Sequence, residues 1–286
     1  PDHIQVFPGH GAGSACGKAL GSVPSTTVGY ERKYSWWGRY LADNDEQGFI
    51  DELLDGQPDA PAYFGRMKRQ NRRGPAIMGE RAPLAELDAA TVAAQLEADE
   101  VTFVDTRFAD QVHTGTVTRA LNIPAGGSVA TYAAWVVDPE KDARPLVLLA
   151  EDQESAQEFW DHLVRVGIDA VAGYVTGLEG LPQTTPRVIG PAELESFDAV
   201  MRLDVRAKSE YDDGHVPGAT QLHGGRVLWN LDQLPEEGTI VTYCQSGTRS
   251  SVAANGLRHA GYDVVELKGS YEAWRDHQAK VGATQR

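Results

Sequence analysis

The second half of this chain repeats several short motifs of the first half in the same order. Residues 103–107 (FVDTR) correspond to 202–206 (RLDVR), each with an apolar residue directly before Asp, then one further residue and Arg. Farther along, residues 147–150 (VLLA) correspond to 241–244 (VTYC). Repetition in this order indicates two copies of one folding unit, each with its own core.

Strand-like and helix-like segments alternate within the copies. The first copy shows strand patterns at 101–104, 146–149 and 170–172, with helices predicted at 91–96 and 155–166. Strands that alternate with helices at this spacing form a parallel sheet covered by helices on both faces. The predicted fold class is therefore α/β, with one such domain at 83–185 and a second at 186–286, joined by a Pro-bounded linker.

The composition excludes some classes of partner. Of the 286 residues, 41% are hydrophobic, which is sufficient for two folded domains. The formal net charge of -15 argues against a nucleic acid or an anionic membrane surface as partner. A single basic stretch, residues 66–73, is interpreted as a solvated linker or helix face.

We expect a soluble, cytoplasmic protein. The sequence shows neither an apolar run of about 18 residues nor a basic-then-apolar leader pattern, so we expect no membrane partner. Its two cysteines, Cys16 and Cys244, lie in segments with no reason to meet. A disulfide is therefore not expected, which fits a reducing compartment.

The loop that follows the second-copy strand at 239–243 carries the predicted chemistry. Cys244 is separated by four residues from Arg249, at the junction of a strand with an amphipathic helix. The positive end of a helix dipole favours thiolate over thiol, and successive backbone N–H groups of such a loop converge on an anion. We predict that Cys244 and Arg249 are catalytic. The loop residues predicted to bind substrate are Gln245, Ser246, Gly247, Thr248 and Ser250.

The residues of this loop have distinct expected roles. Gly247 supplies backbone freedom for a tight curl, the hydroxyl groups supply short donors, and Arg249 supplies a permanent charge suited to an oxyanion. The first copy places residues 150–155 (AEDQES) against 244–249 (CQSGTR), so it lacks both nucleophile and cation. Its carboxylates repel anions, which predicts a structural or regulatory role for that copy.

Two other interpretations of Cys244 are open at this point. A cysteine without a partner is often a small buried hydrophobe, but that role does not require glycine, hydroxyls and arginine after it. Cysteine phosphatases also combine a cysteine with an arginine, but their loop has one more residue between the two. Tyr243, not histidine, precedes Cys244 here.

The second copy resembles a rhodanese (sulfurtransferase) domain over about residues 188–280. Four motifs in order carry the resemblance: 203–206 (LDVR), 210–219 (EYDDGHVPGA), 244–250 (CQSGTRS) and 267–274 (LKGSYEAW). Ser270 departs from the more usual second glycine. The resemblance implies that Cys244 takes a sulfane sulfur from a donor, holds it as a persulfide stabilised by the loop amides, and passes it on.

Other residues of these motifs are interpreted as structural. Asp204 and Arg206 are expected to fix the end of their strand, His215 to be a packed turn residue, and Trp274 to belong to the core of the last helix. Residues 83–185 resemble an inactive rhodanese domain, and tandem sulfurtransferases often pair an inactive with an active copy.

Residues 1–82 have a resemblance of their own. Residues 7–18, 29–32 and 61–64 look like the C-terminal end of a metallo-β-lactamase-fold hydrolase of the kind fused to rhodanese domains, including persulfide dioxygenases. Some members use the histidine that matches His10 as a metal ligand, but the fold's His-x-His-x-Asp-His cluster is absent. One imidazole cannot hold a catalytic metal, so we expect neither metal nor cofactor in this chain. We interpret the segment as part of a longer protein, with Cys16 a packed residue.

The resulting hypothesis is a sulfurtransferase that moves a sulfane sulfur from thiosulfate or glutathione persulfide to a thiol or cyanide. An alternative is a sulfur-relay or binding module that serves a metallo-β-lactamase-fold domain missing from this chain. A third is a metalloenzyme. Arg249 is the only cation in the loop sequence, and that alone does not separate the two donors.

Overall fold

The computed structural model describes residues 1–7, 24–57, 60–75 and 77–284. These residues form two compact units, 1–58 and 59–286. The first unit thus ends earlier than residue 82, where the sequence analysis placed the end of the first segment. His10 and Cys16 lie outside the described residues.

In its described residues, the first unit combines two short paired strands with three helices. Its strands β1 (Gln5–Val6) and β2 (Thr26–Thr27) pair antiparallel. Its helices are α1 (Val28–Tyr34), α2 (Gly38–Asp43) and α3 (Glu46–Leu54). Helix α3 begins after Asp45, whose carboxylate accepts a hydrogen bond from the Gly48 N–H at 2.9 Å and so satisfies a donor that has no partner within the helix.

The second unit begins with what we call the first lobe, residues 63–184. The strands are β3 (Thr102–Asp105), β4 (Thr116–Val117), β5 (Leu121–Asn122), β6 (Leu146–Leu149), β7 (Val171–Val175) and β8 (Gln183–Thr184). The helices are α4 (Tyr63–Arg73), α5 (Ala89–Glu97), α6 (Ala109–Val112), α7 (Val129–Val136) and α8 (Gln153–Val164). The sheet has the order β5-β3-β6-β7 and is parallel throughout, whereas β4 and β8 form a separate antiparallel pair.

The second lobe, residues 188–284, repeats this strand order and adds one edge strand. The strands are β9 (Val188–Ile189), β10 (Met201–Asp204), β11 (Ala219–Gln221), β12 (Thr239–Tyr243) and β13 (Asp263–Leu267). The parallel sheet has the order β11-β10-β12-β13-β9. The helices are α9 (Lys208–Asp212), α10 (Gly224–Val227), α11 (Thr248–His259) and α12 (Ser270–Thr284), with a 3-10 turn at Leu231–Gln233. The predicted α/β class with parallel sheets is confirmed.

Successive residues of the central strands pack on opposite faces of each sheet. In β6, Leu148 and Leu149 belong to different core clusters. In β12, Ile240 and Val241 do the same. A parallel sheet covered on both faces buries both rows of side chains, which accounts for the continuous apolar runs in the sequence.

The Asp-x-Arg motif forms the same contacts in both lobes. Arg107 donates to Asp105 through Nε at 2.9 Å and through Nη2 at 2.6 Å. Arg206 does so to Asp204 at 3.0 and 2.7 Å. In each lobe the arginine also donates to the carbonyl eight residues later at 2.7 Å. These bonds tie the end of the strand to the following loop, as predicted for Asp204 and Arg206.

Helix α4 packs on the core of the first lobe. Tyr63 and Met67 contact the core cluster, and Arg66 lies on the same side of the helix with only 4% of its surface exposed. Arg66 donates from Nη1 to the Val166 carbonyl at 2.7 Å. The prediction of a solvated basic face is therefore wrong for Arg66. It holds for the remaining basic residues of the stretch, Lys68, Arg69, Arg72 and Arg73.

Polar contacts join the two lobes. Helix α11 packs against β5 and α7, and its Ser251 hydroxyl donates to the Asn122 side-chain oxygen at 3.0 Å. Glu266 of β13 is buried between His113, 3.0 Å from Nε2, and Arg258, which donates at 2.9 Å. The helix that begins at the Cys244 loop is therefore held in place partly by the first lobe.

Candidate functional site

Cys244 lies directly after β12, at the carboxyl edge of the second-lobe sheet. The loop 244–247 curls through Gly247, whose φ of 127° is in the region that favours glycine, and helix α11 starts at Thr248. The curl brings the Gly247 N–H to 3.1 Å from the Cys244 Sγ. A backbone donor at the start of a 12-residue helix thus points at the sulfur.

Ser270, at the start of α12, packs against Cys244 in this loop. Its hydroxyl accepts a hydrogen bond from the Cys244 N–H at 3.2 Å and lies 3.8 Å from the sulfur. Ser270 adopts a φ of 56°, a conformation unusual for a residue other than glycine. From the sequence, Ser270 was noted only as a departure from glycine, and this contact was missed. The available signal was a hydroxyl side chain at a motif position where glycine is usual.

Arg249 faces a carboxylate. Its two terminal nitrogens donate to the two oxygens of Glu210 at 2.7 and 2.8 Å. The Arg249 guanidinium lowers the pKa of Glu210, and the same hydrogen bonds raise the pKa of Arg249, so both groups stay charged. Glu210 entered the sequence prediction only as the first residue of the 210–219 motif and without a role, because nothing in the sequence spacing sets its helix against the loop.

The other predicted loop residues differ in their contacts. The side-chain amide of Gln245 accepts a hydrogen bond from Arg206 at 3.2 Å and donates one to Glu272 at 3.1 Å. Ser246 is exposed and Thr248 is half-buried. The Ser250 hydroxyl donates back to the Gly247 carbonyl at 2.8 Å and so tightens the curl. The structure therefore brings the predicted residues together, but with Gln245 and Ser250 shaping the loop.

Several loop amides are available to a ligand. Among the residues that the structure describes, the N–H groups of Gln245, Ser246, Thr248 and Arg249 donate to no protein acceptor. Helix starts leave such donors unsatisfied unless a side chain, water or ligand accepts from them. Cys244 itself is only 1% exposed, so a reacting group meets the more exposed residues of this loop before it meets the sulfur.

The first lobe supplies an aromatic flank to the site through α7. Helix α7 packs against α11, and its Tyr132 and Trp135 rings meet edge to face at 5.1 Å. Trp135 in turn contacts the His223 ring, also at 5.1 Å. His223 follows β11 on the same edge of the sheet as Cys244. No residue of the first copy was predicted from the sequence to lie at this site.

The equivalent loop of the first lobe is one residue shorter. Residues 150–152 join β6 to α8, whereas residues 244–247 join β12 to α11. The second residue of α8 is Glu154, which therefore takes the position of Arg249; the sequence alignment, which set Ser155 there, was wrong. Asp152 accepts from the Ser155 N–H at 2.8 Å, so a carboxylate already occupies that helix start.

His215 and Trp274, two residues of the sequence motifs, are packed against their neighbours. The His215 ring stacks on Tyr211 at 3.7 Å and contacts its carbonyl, as expected of a packed turn residue. Trp274 packs against the second-lobe core.

Within residues 1–7, 24–57, 60–75 and 77–284, no three metal-binding side chains cluster to hold a metal. No helix in that part of the chain has the length and apolar character of a membrane span.

Comparison with known proteins places this loop in a family. A family profile described as a rhodanese-like domain matches residues 192–277. A sulfurtransferase from Allochromatium vinosum is 32% identical over 91 residues, which are 32% of this chain and 85% of that protein. The chain belongs to the rhodanese-like family. The matched region includes the loop that carries Cys244 and its partners Glu210 and Ser270.

Three other relatives that match the chain are longer than the matched region. A probable adenylyltransferase/sulfurtransferase, MoeZ, from Mycobacterium tuberculosis is 34% identical over 84 residues, 28% of this chain and 21% of that protein. Two further curated relatives are covered over 47% and 40% of their own length. The chain thus spans less than half of these three relatives.

A metallo-beta-lactamase from Staphylococcus aureus subsp. aureus COL is a structural neighbour. It aligns with a TM-score of 0.40 and 29% identity, over 61% of this chain and 46% of that chain. A rhodanese-like domain protein from Staphylococcus aureus aligns with a TM-score of 0.29 and 26% identity, over 31% of this chain and 90% of that chain.

Proposed function

We propose that this chain is a sulfurtransferase that carries sulfane sulfur as a persulfide on Cys244. The observation that supports this most directly is the Gly247 N–H at 3.1 Å from the Cys244 sulfur, at the start of α11. A donor and a helix dipole aimed at sulfur favour its anionic form, which is the nucleophile. Relatives named as sulfurtransferases support the same activity.

In the first half-reaction the Cys244 thiolate attacks the outer sulfur of a donor. An S–S bond forms to Sγ while the donor's own S–S bond breaks, and its electron pair leaves with the remainder of the donor. Thiosulfate releases sulfite, and glutathione persulfide releases glutathione thiolate. The amides of Gln245, Ser246, Thr248 and Arg249 hold the negative charge on the transferred sulfur.

In the second half-reaction an acceptor attacks the outer sulfur of the Cys244 persulfide. A thiolate acceptor becomes a persulfide and cyanide becomes thiocyanate, while the electron pair of the broken S–S bond returns to Sγ. No oxidant or reductant is consumed. Because Cys244 is 1% exposed, the outer sulfur of the persulfide is better placed than Sγ to meet the acceptor.

The proposed organisation assigns this chemistry to residues 186–286. The Asp-x-Arg contacts and strand order shared by the lobes support a common origin for residues 83–185. We assign that region as a rhodanese-like domain without activity, because Ala150 replaces the nucleophile and Glu154 replaces the cation. Residues 1–82 are assigned as the end of a metallo-β-lactamase-fold domain on the sequence resemblance alone.

Mass spectrometry tests the proposal directly. Mixing the protein with a sulfane donor should add one sulfur to the peptide that contains Cys244, and Cys244→Ser should abolish both the adduct and turnover. Cys16→Ser is the matched control, because it removes the other cysteine of the sequence and should leave the adduct in place. Retained turnover in Cys244→Ser would refute the proposal. An adduct without turnover of small acceptors would favour the sulfur-relay module instead.

A further inference from the structure

Each guanidinium beside the Cys244 loop already has its own carboxylate. Arg249 is held by both oxygens of Glu210 at 2.7 and 2.8 Å. Arg206 is held by Asp204, with the closest contact at 2.7 Å. The rim adds the Glu272 carboxylate, which accepts from the side-chain amide of Gln245. The two cations are thus offset, and the site offers an incoming anion no net positive charge from these groups.

The ion pair of Glu210 with Arg249 is fixed from both ends. One Glu210 oxygen also accepts from the Ala207 N–H at 3.1 Å, at the start of α9. Arg249 is the second residue of α11, and 24% of its side chain is exposed, against 32% for Glu210. A bidentate pair between two helix starts is geometrically defined, unlike a mobile surface pair.

Donors differ in the charge that they bring to this site. Thiosulfate arrives as a dianion and leaves sulfite, which is also a dianion, beside the Cys244 thiolate. The persulfide of an uncharged organic thiol brings at most one negative charge and leaves a monoanionic thiolate. Like charges within a few ångströms repel strongly where water is partly excluded, so the dianion depends more on an unpaired cation.

We propose that Glu210 is a positioning residue that sets donor selectivity: by holding Arg249, it favours donors of low charge over dianionic donors such as thiosulfate. This inference rests on the proposed sulfurtransferase function. Glu210 touches neither the sulfur nor the donor and acts through the Arg249 guanidinium. Its removal should therefore change the relative use of two donors and not only the overall rate.

The test compares two donors in three proteins. Single-turnover formation of the Cys244 persulfide is followed by mass spectrometry with thiosulfate and with the persulfide of 2-mercaptoethanol, whose organic part is uncharged. In wild type, the second-order rate constant for persulfide formation should be about tenfold or more higher with the organic persulfide than with thiosulfate. Glu210→Gln keeps the size of the side chain and an oxygen for the Ala207 N–H, and should raise the thiosulfate to persulfide ratio by about tenfold.

Asp212→Asn is the matched control. It removes one negative charge from the same helix, but Asp212 pairs with Lys208 at 3.0 Å and not with Arg249. Its donor ratio should stay within about twofold of wild type. The gain in Glu210→Gln should also shrink as salt is added, because a released Arg249 attracts the dianion through a field that ions screen.

The outcomes separate the two proposals. A wild type that prefers thiosulfate, or a Glu210→Gln protein whose donor ratio does not move, would overturn the role of Glu210 while leaving sulfur transfer intact. If Cys244 gains sulfur from neither donor in wild type, the proposed function itself fails. Should Glu210→Gln not fold, the wild-type preference between the donors still decides the question.

Discussion

The indole of Trp135 in the first lobe lies directly against Gly225 of the second lobe. A Cβ atom added to Gly225 would lie 2.7 Å from the indole Nε1, and one added to Gly224 would lie 2.6 Å from the same ring system. A Cβ atom added to Gly256 of α11 would lie 3.2 Å from Val136 of α7, which is tight but less so. The two contacts with the indole leave no room for a methyl group, so Gly224 and Gly225 allow α7 to pack closely against this segment.

Replacing Gly225 with alanine should weaken the packing of α7 against this segment and destabilise the protein. The added methyl overpacks against Trp135, and we expect the free energy of unfolding to fall by about 1–3 kcal/mol, measured by urea denaturation. Gly127→Ala is the control, since a Cβ there meets nothing within 4 Å. Equal stability of the two variants would show that the indole moves aside without cost.

Ser270→Ala tests the hydroxyl beneath the sulfur. The change leaves the buried Cys244 N–H without its acceptor, so we expect a stability loss of about 1–3 kcal/mol. Alkylation of Cys244 by iodoacetamide should slow about fivefold, the rate equivalent of about 1 kcal/mol. Ser270→Gly also removes the hydroxyl but suits the left-handed backbone. If only backbone strain matters, Ser270→Gly will alkylate as fast as wild type.

Structural features that are determined by residues close together in the sequence were predictable. Apolar runs bounded by polar loops gave the strands, and the predicted strand 239–243 coincides with β12 (Thr239–Tyr243). The predicted strand 146–149 likewise coincides with β6 (Leu146–Leu149). The Cys244 loop was recognisable because glycine, hydroxyls and arginine follow one cysteine between a strand and a helix.

Features that depend on distant contacts were not predictable. Glu210 and Ser270 lie 34 and 26 residues from Cys244 in the sequence, and only the parallel sheet brings their loops to the same edge. Arg66 looked solvated because its neighbours are basic, but the helix turns it toward Val166. The long apolar part of its side chain is buried while its guanidinium donates to a carbonyl. Sequence composition does not show that Arg66 is buried in this way.

The first-lobe loop should not become active through one substitution. We expect Ala150→Cys to gain no sulfur from a sulfane donor, because the shorter loop 150–152 ends in the Asp152 cap and Glu154 stands where Arg249 would be. Replacing residues 150–152 with the sequence of 244–247, together with Glu154→Arg, should produce a detectable adduct at the new cysteine. The assay uses a Cys244→Ser background, where any added sulfur at residue 150 reports on the first lobe alone. An adduct in the single variant would contradict the stated role of loop length and charge.

The buried Glu266 should make the stability of the second unit depend on pH. Burial raises the pKa of Glu266, but the contacts with His113 and Arg258 outweigh it and leave the pKa below its usual value. A carboxyl group with a lowered pKa in the folded state stabilises that state above its unfolded pKa, and this contribution disappears as the pH falls through the folded value.

Glu266→Gln should therefore cost about 3 kcal/mol of unfolding free energy at neutral pH, since it leaves Arg258 without its buried partner. The difference from wild type should shrink as the pH falls below the usual range for glutamate, because protonated Glu266 no longer pairs with Arg258 or His113. Urea denaturation across that acid range measures both effects. Glu237→Gln, at an exposed position, is the control and should run parallel to wild type. A Glu266→Gln protein that loses stability in acid as steeply as wild type would assign the acid sensitivity to other carboxylates.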